Sequence, residues 1–298
     1  MNEAVGVRAA MILCAGLGSR LRPLTGELAK PMVPVGDVPA VAHVVQSVRL
    51  AAISRIVVNV HHRPHDVRAW AEGERISVSH ERELLGTAGG VERASILLGE
   101  GAVLVWNGDI LSELDPLALL EAHAQAGADA GATLAVQPGL AGEGNVGMAA
   151  DGRIVRLRKE SFGPEARGGE FLGVHVLSER LRDGLPPKGC LVGDVYLPSL
   201  RRGEVLRAYE TSASFVDIGT VAQYLAANAA WLGSRGLLSW AHPSATVNAP
   251  IDGSVIGANA VVDAPALHSV VWPGAQVRSE CNNVVVMGLS APFEEKLP

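Results

Sequence analysis

The chain has 298 residues, 48% of them hydrophobic and 19% charged, enough apolar side chains for a sizeable core and too many for a disordered chain. Its formal net charge of −6 argues against nucleic acid as a partner, because binding a phosphate backbone needs a cationic face. Cys14, Cys190 and Cys281 are too scattered for a metal-ligand pair or a disulfide framework, which points to a reducing, cytoplasmic setting, and without a run of about 18 apolar residues no membrane span is expected.

Residues 9–13 form an apolar run that reads as a first buried strand, and a glycine-rich loop follows at once. Residues 39–50 carry Val41, Val44, Val45 and Val48 at helical spacing. Strands are expected over 53–60, 76–80, 102–106 and 130–136, with helices over 88–98 and 117–126. Strand–helix alternation with apolar strands predicts an α/β fold, a mostly parallel sheet with helices on both faces. In such sheets ligands sit at the carboxyl ends of the strands. The glycine loop and Asn107-Gly108-Asp109 both follow strands, so both should fall on that rim. His61-His62-Arg63-Pro64-His65 reads as a proline turn after a strand.

Residues 145–177 change character. Short strand-like segments joined by Gly and Asp turns suggest an antiparallel insertion over the site. A helix is expected over 194–200. Residues 215–220 end a strand and open a helix over 221–232, where Trp231, like Trp70 earlier, reads as a core residue. After a linker over 233–240, apolar positions recur at Val255, Val261 and Leu267, then at Val271 and Val277, with Gly and Ala between. That six-residue repeat predicts a short left-handed β-helix. The expected organisation is a main domain over 1–235 and a hexapeptide-repeat, β-helix-like tail over 236–298. Two or three coils cannot stand alone, so the tail should pack on the main domain or on another subunit, and a homo-oligomer is expected.

The most specific stretch is Gly16-Leu17-Gly18-Ser19-Arg20-Leu21-Arg22-Pro23-Leu24-Thr25, followed by Lys30-Pro31-Met32-Val33-Pro34-Val35. Glycines let backbone N–H groups approach anionic oxygens, and Arg20 and Lys30 can neutralise them. The loop lacks the third glycine of a dinucleotide-binding turn, where Leu21 stands. It also lacks the Gly-Lys-Ser/Thr of an ATPase P-loop. Asp109 and Asp217 are acidic residues at two strand ends, suited to a hard divalent cation.

Taken together, these motifs resemble the signature of the sugar-1-phosphate nucleotidyltransferases, with mannose-1-phosphate guanylyltransferases the nearest in character. The resemblance implies transfer of a nucleotidyl group from an NTP to a sugar 1-phosphate, with release of pyrophosphate and with Mg²⁺ as cofactor. It assigns Arg20, Lys30 and Asp109 to catalysis and Asp109 and Asp217 to the metal. Ala15, Gly16, Gly18, Ser19, Gly86, Thr87 and Asn107 fall to the nucleotide, within Leu85-Gly86-Thr87-Ala88-Gly89-Gly90 for the second glycine motif. Gly147, Glu170, Gly173 and Asp194 fall to the sugar phosphate. Where relatives carry Glu-Lys-Pro, this chain reads Arg156-Leu157-Arg158-Lys159-Glu160-Ser161, so Lys159 is the stand-in for the sugar-phosphate lysine, with Arg158 and Arg156 as alternatives. The implied product is GDP-mannose or a related GDP-hexose or heptose for cell-surface glycans. Uridylyl, thymidylyl or cytidylyl transfer, a non-catalytic regulatory relative, and an acyltransferase tail using His268 are the competing expectations.

Overall fold

Seven residues that are nearly all apolar, Val7–Leu13, form the first strand, β1, and Ala9 to Ile12 are at most 1% exposed. Residues 7–288 are described in this computed structural model. Their contacts group the chain into two compact units. One holds the residues up to Gly16 together with Val44–Phe215; the other holds Leu17–His43 and the residues from Val216 onward. The helix Ala40–Leu50 (α1) has Val41, Val44, Val45 and Val48 all buried, as its spacing requires.

The first unit is a ten-stranded mixed sheet. Its remaining strands are Arg55–Val60 (β2), Ser77–His80 (β3), Ala102–Asn107 (β4), Ala130–Gly139 (β5), Val146–Met148 (β6), Ile154–Leu157 (β7), Glu160–Ser161 (β8), Arg167–Leu177 (β9) and Val205–Glu210 (β10). The main path runs β8-β7-β6-β9-β4-β1-β2-β3, with β5 paired to β9 and β10 to β5. β1 pairs in parallel with β2 and β4, and β2 in parallel with β3. The carboxyl ends of these four strands therefore share one rim. Leu13 lies level with Asn107, and Val60 with His80. Helices Pro64–Gly73 (α2), Gly86–Arg93 (α3) and Pro116–Gln125 (α4) supply the crossovers.

β6 to β9 are antiparallel, as the Gly- and Asp-rich turns of residues 145–177 predict. The long β9 serves three partners, running antiparallel to β6 through Arg167–Gly169, to β4 through Val174–Leu177 and to β5 on its other edge. Against β5 its register shifts between Phe171 and His175. Two helices differ from expectation. The 88–98 segment starts at Gly86 and breaks at Ala94 into two pieces. The 194–200 segment is a π-helical turn, Leu191–Tyr196, running into the α-turn Leu197–Arg201, where Pro198 removes a backbone donor.

In the second unit the helix Val221–Ser234 (α5) is capped by the Thr220 hydroxyl, which accepts from Gln223 N at 3.2 Å. The tail is β-helical, three stacked parallel sheets of two-residue strands. Its repeat differs from the six-residue expectation. Trp240 pairs with Val255, Val255 with Val270 and Val270 with Val285, a step of fifteen residues. The sides of a coil are six, five and four residues long, from Val255 to Val261, Ala266 and Val270. The evenly spaced valines sampled only the longest side. The short corners need tight turns, supplied by positive φ at Gly253, His268 and Asn283, one coil apart. His268 is thus a corner residue, with its ring against Gly253. Ile256, Ala260, Val262, Ala266, Val271, Ala275 and Val277 fill the interior. Architecture changes near residue 235, yet the packing does not follow the expected division into 1–235 and 236–298. The glycine loop, the proline-rich turn and α5 group with the tail, because Tyr224, Asn228 and Trp231 of α5 hold that turn.

Candidate active site

In the first unit a pocket of 260 Å³ opens at the shared strand rim, lined by Leu13, Ala15 and Gly16 after β1, Asn59 of β2, and Asn107 and Asp109 from the end of β4. Glu81, Leu84, Gly86 and Thr87 close its other side. Each wall has a local cause. Gly108 N donates to Leu13 O at 2.9 Å and the Trp106 indole donates to Ile110 O at 2.9 Å, so the turn carrying Asp109 is tied on both flanks. Asn59 accepts from Cys14 N at 2.7 Å and donates to Glu81 Oε1 at 2.7 Å. Glu81 Oε2 accepts from Leu85 N at 3.1 Å. One buried amide–carboxylate pair thereby joins the glycine loop after β1 to the second glycine motif. Burial, with a smaller contribution from the Asp109 charge, pushes the Cys14 thiol far above its usual range. That thiol stays protonated and is no nucleophile.

On the antiparallel side, Gly173 lies beside the Asn107 side-chain amide. Glu170 accepts from Asn145 Nδ2, and Gly147 sits against the Glu165 carboxylate. Asp194 accepts from Cys190 N at 2.6 Å, and Thr87 accepts from Leu191 N at 2.7 Å. The π-helical turn is therefore bound to the pocket wall. Among the three basic candidates, Arg156 is consumed by structure. It donates to Glu165, Gly144 O, Glu143 O and Val146 O. Lys159 is exposed at the β7–β8 turn. Arg158, in a left-handed conformation, turns its guanidinium toward Cys190 and Gly193, next to Asp194.

The second unit holds the charges. Lys30 Nζ lies 3.6 Å from Asp217 Oδ1, and Arg20 lies 3.9 Å from Asp217 Oδ2. The Lys30 side chain is only 10% exposed while that of Arg20 is 69% exposed. Lys30 is held by its stem. Gly18 has φ +61°, and a Cβ there would stand 2.7 Å from Thr25 Cγ2 and 3.1 Å from Lys30 Cβ, so only glycine lets the loop close on Thr25 and Lys30. The Thr25 hydroxyl donates to Gly18 O at 2.9 Å. Ser19 is exposed at the loop tip. Asp217 Oδ1 is shielded from solvent and receives no hydrogen bond among the described residues. A buried carboxylate oxygen facing an ammonium beyond hydrogen-bond reach fits a divalent cation or a phosphate-bound donor. No cluster of three or more His, Cys, Asp or Glu suited to a metal occurs among the described residues. Mg²⁺ needs none, since it takes one or two carboxylates plus substrate phosphate.

Asn59 lines the pocket although no motif assigned it a role, and so does Glu81, which the sequence marks only as standing upstream of the second glycine motif. An acidic residue one position beyond a strand was the signal the sequence carried; the structure leaves Glu81 1% exposed. A larger groove of 490 Å³ in the second unit, along α5 and the tail, is lined chiefly by Ala and Leu and by no Lys or Arg.

A glycine-walled pocket at parallel strand ends, together with a basic loop built on glycine and proline, defines a nucleotide-handling transferase. The nucleotidyl transferase family matches residues 9–158, and the chain belongs to that family. It is 29% identical over 268 residues to the mannose-1-phosphate guanyltransferase of Yarrowia lipolytica, covering 86% of this chain and 72% of that one. It is 28% identical to the UTP–glucose-1-phosphate uridylyltransferase of Synechocystis, over 77% of this chain and 63% of that one. To the mannose-1-phosphate guanylyltransferase of Mycobacterium tuberculosis it is 26% identical, over 91% of this chain and 82% of that one. The solved structure of HddC from Yersinia pseudotuberculosis with GMP-PN shares the fold, with a TM-score of 0.62 over 76% of this chain and all of that one, at 23% identity. No helix among the described residues is long and apolar enough to cross a membrane.

Proposed function

We propose that the chain makes a GDP-sugar from GTP and mannose 1-phosphate or a closely related hexose or heptose phosphate. The reaction is transfer of a nucleotidyl group from an NTP to a sugar 1-phosphate, with pyrophosphate leaving. The observation that carries the reading is the placement of Lys30 and Arg20 on either side of Asp217, within a loop that carries the phosphate-binding glycines. The attacking sugar phosphate is already an anion, so no strong base is required. The barrier lies in bringing two anions together and in the charge that builds on the leaving diphosphate. Lys30, buried and fixed, is the point charge for the α-phosphate region. The forked, exposed guanidinium of Arg20 suits the departing β- and γ-phosphates. Ala15, Gly16, Gly86, Thr87 and Asn107 form a mostly neutral receptacle for the nucleoside. Gly147, Glu170, Gly173 and Asp194 serve the sugar side, with Arg158 rather than Lys159 as the phosphate contact, since its guanidinium lies next to the Asp194 turn.

Asp109 and Asp217 are each a candidate carboxylate ligand for Mg²⁺. When bound, that ion neutralises phosphate oxygens that Arg20 and Lys30 alone leave charged. Guanine is favoured by the Leu-Gly-Thr-Ala-Gly motif with Glu81 upstream and by the guanylyltransferase relatives. We place the enzyme in the cytoplasm as a homo-oligomer supplying cell-surface glycans. Pyrophosphate release measured over a grid of NTPs and sugar 1-phosphates with Mg²⁺ tests the reading. Activity is expected with GTP and mannose 1-phosphate and is abolished by EDTA. A folded protein silent across the grid would instead be a nucleotide-sugar-binding regulatory subunit.

A further inference from the structure

The second unit contains a buried hydrogen-bond relay that reaches from the β-helical tail to the lysine turn. Tyr224, fully buried on α5, donates to Pro34 O at 2.5 Å and accepts from the Trp272 indole Nε1 at 3.0 Å. One turn on, Asn228 accepts from Gly36 N at 2.9 Å and donates to Tyr224 O at 3.1 Å. Another turn on, the Trp231 ring occupies the space a Cβ at Gly36 would need, at a residue with φ +64°. Three side chains on one face of α5, spaced four and three apart, thus grip the Pro34–Gly36 turn.

Lys30 stands four residues before Pro34. A single tight helical turn, Lys30–Met32, joins them, with Pro31 and Pro34 fixing two of the intervening φ angles. There is little slack through which a movement of Pro34 could fail to reach Lys30. Asp217 lies four residues before α5 begins, and the Thr220 cap sets its approach. One helix therefore indexes both partners of the Lys30–Asp217 pair. A tyrosine hydroxyl that receives a hydrogen bond from Trp272 has its own proton left to point at Pro34 O.

We propose that Tyr224, oriented by Trp272 of the tail, is a positioning residue that sets the Lys30 ammonium against Asp217, so that the tail is part of the catalytic apparatus. The proposal rests on the nucleotidyl-transfer reading for its kinetic readout, and a second readout is independent of it. Tyr224→Phe keeps the ring and removes both hydrogen bonds of the hydroxyl, and Trp272→Phe keeps an aromatic ring and removes the indole donor. Both should lower kcat by about tenfold at saturating Mg²⁺, leaving KM for the NTP nearly unchanged, because misplacement of a fixed charge is felt in the transition state. In a Lys30→Ala background the same substitutions should cost nothing further. A merely structural role would lower thermal stability and affect the two backgrounds alike. Separately, acetylation of Lys30 by acetic anhydride, followed by mass spectrometry on the folded proteins, should be faster in both variants than in the parent. Folded variants with full turnover, an equal loss in the Lys30→Ala background, or an unchanged Lys30 acetylation rate would each overturn the proposal. If the parent releases no pyrophosphate from any substrate pair, the functional reading fails, and the acetylation rate alone decides the positioning role.

Discussion

In the sheet-bearing unit, the pocket is walled by a backbone turn after β1, the start of α3 and an amide–carboxylate pair whose hydrogen bonds are spent on the protein itself. In the tail-bearing unit, two cations and one carboxylate stand at ion-pair distance without closing hydrogen bonds to each other. The first arrangement is closed by the protein's own hydrogen bonds, and on the proposed reading it would select by shape. The second carries net positive charge around Asp217, and on the same reading it would meet a ligand's phosphates. Recognition would then fall to the first unit and charge neutralisation to the second, and each should fail in its own way when altered.

The largest effects should come from the acidic residues. Asp217→Asn and Asp109→Asn should each reduce kcat by about 10³-fold while leaving the circular dichroism spectrum and melting temperature nearly unchanged. A variant that keeps more than a tenth of turnover would remove that residue from the metal-binding role. Lys30→Ala comes next, at about 10²-fold in kcat. Arg20→Ala should cost less and act mainly on diphosphate binding, because its guanidinium is exposed and screened by salt. Steady-state kinetics at two ionic strengths separate the two. Equal losses for Arg20 and Lys30 would undo the distinction between a fixed and a mobile cation.

Alterations on the pocket side should appear as stability and KM. A Cβ at Gly90 would stand 2.7 Å from Asn59 Nδ2 and 2.8 Å from Glu81 Oε1. Gly90→Ala should therefore destabilise the fold by about 1–3 kcal/mol in urea denaturation and raise KM for the nucleotide. An unchanged midpoint would show that the Asn59–Glu81 pair yields easily. The last effect is silent at neutral pH and appears only in acid. Burial depresses His175 from 6.5 to about 3, and neither ring nitrogen has a hydrogen-bond partner among the described residues. Between those values the unfolded chain binds a proton that the folded one refuses. Stability from this residue is therefore full above pH 6.5 and falls as pH drops toward 3, by about 1.4 kcal/mol per pH unit. His175→Phe should flatten that part of the acid limb in denaturant titrations, and an unaltered slope would show the ring to be solvated.

Much of the first unit was legible because its signals are local. Hydrophobic runs marked β1, β2 and β4, and glycines marked the turns after β1 and β4. The fifteen-residue coil was misread as a six-residue repeat because only one of its three sides has that length. Between the basic candidates of residues 156–159, composition offered no choice. Arg156 is occupied by Glu165 and three carbonyls, a fact of the fold around it.

By itself the sequence determined the strand order of chemistry: a glycine loop after the first strand, Asp109 after a later one, Asp217 before a helix, and a family signature strong enough to name the reaction. Those features depend on nearest neighbours along the chain, where glycine, proline and β-branched residues act through local sterics. Only the tertiary structure decided that Glu81 and Asn59 join two pocket walls. It alone grouped the lysine turn with α5 and the tail, through Tyr224 and Trp272, which lie 190 and 48 residues from their partners in that relay. Contacts of that separation are set by packing and burial, and no short window of sequence contains them.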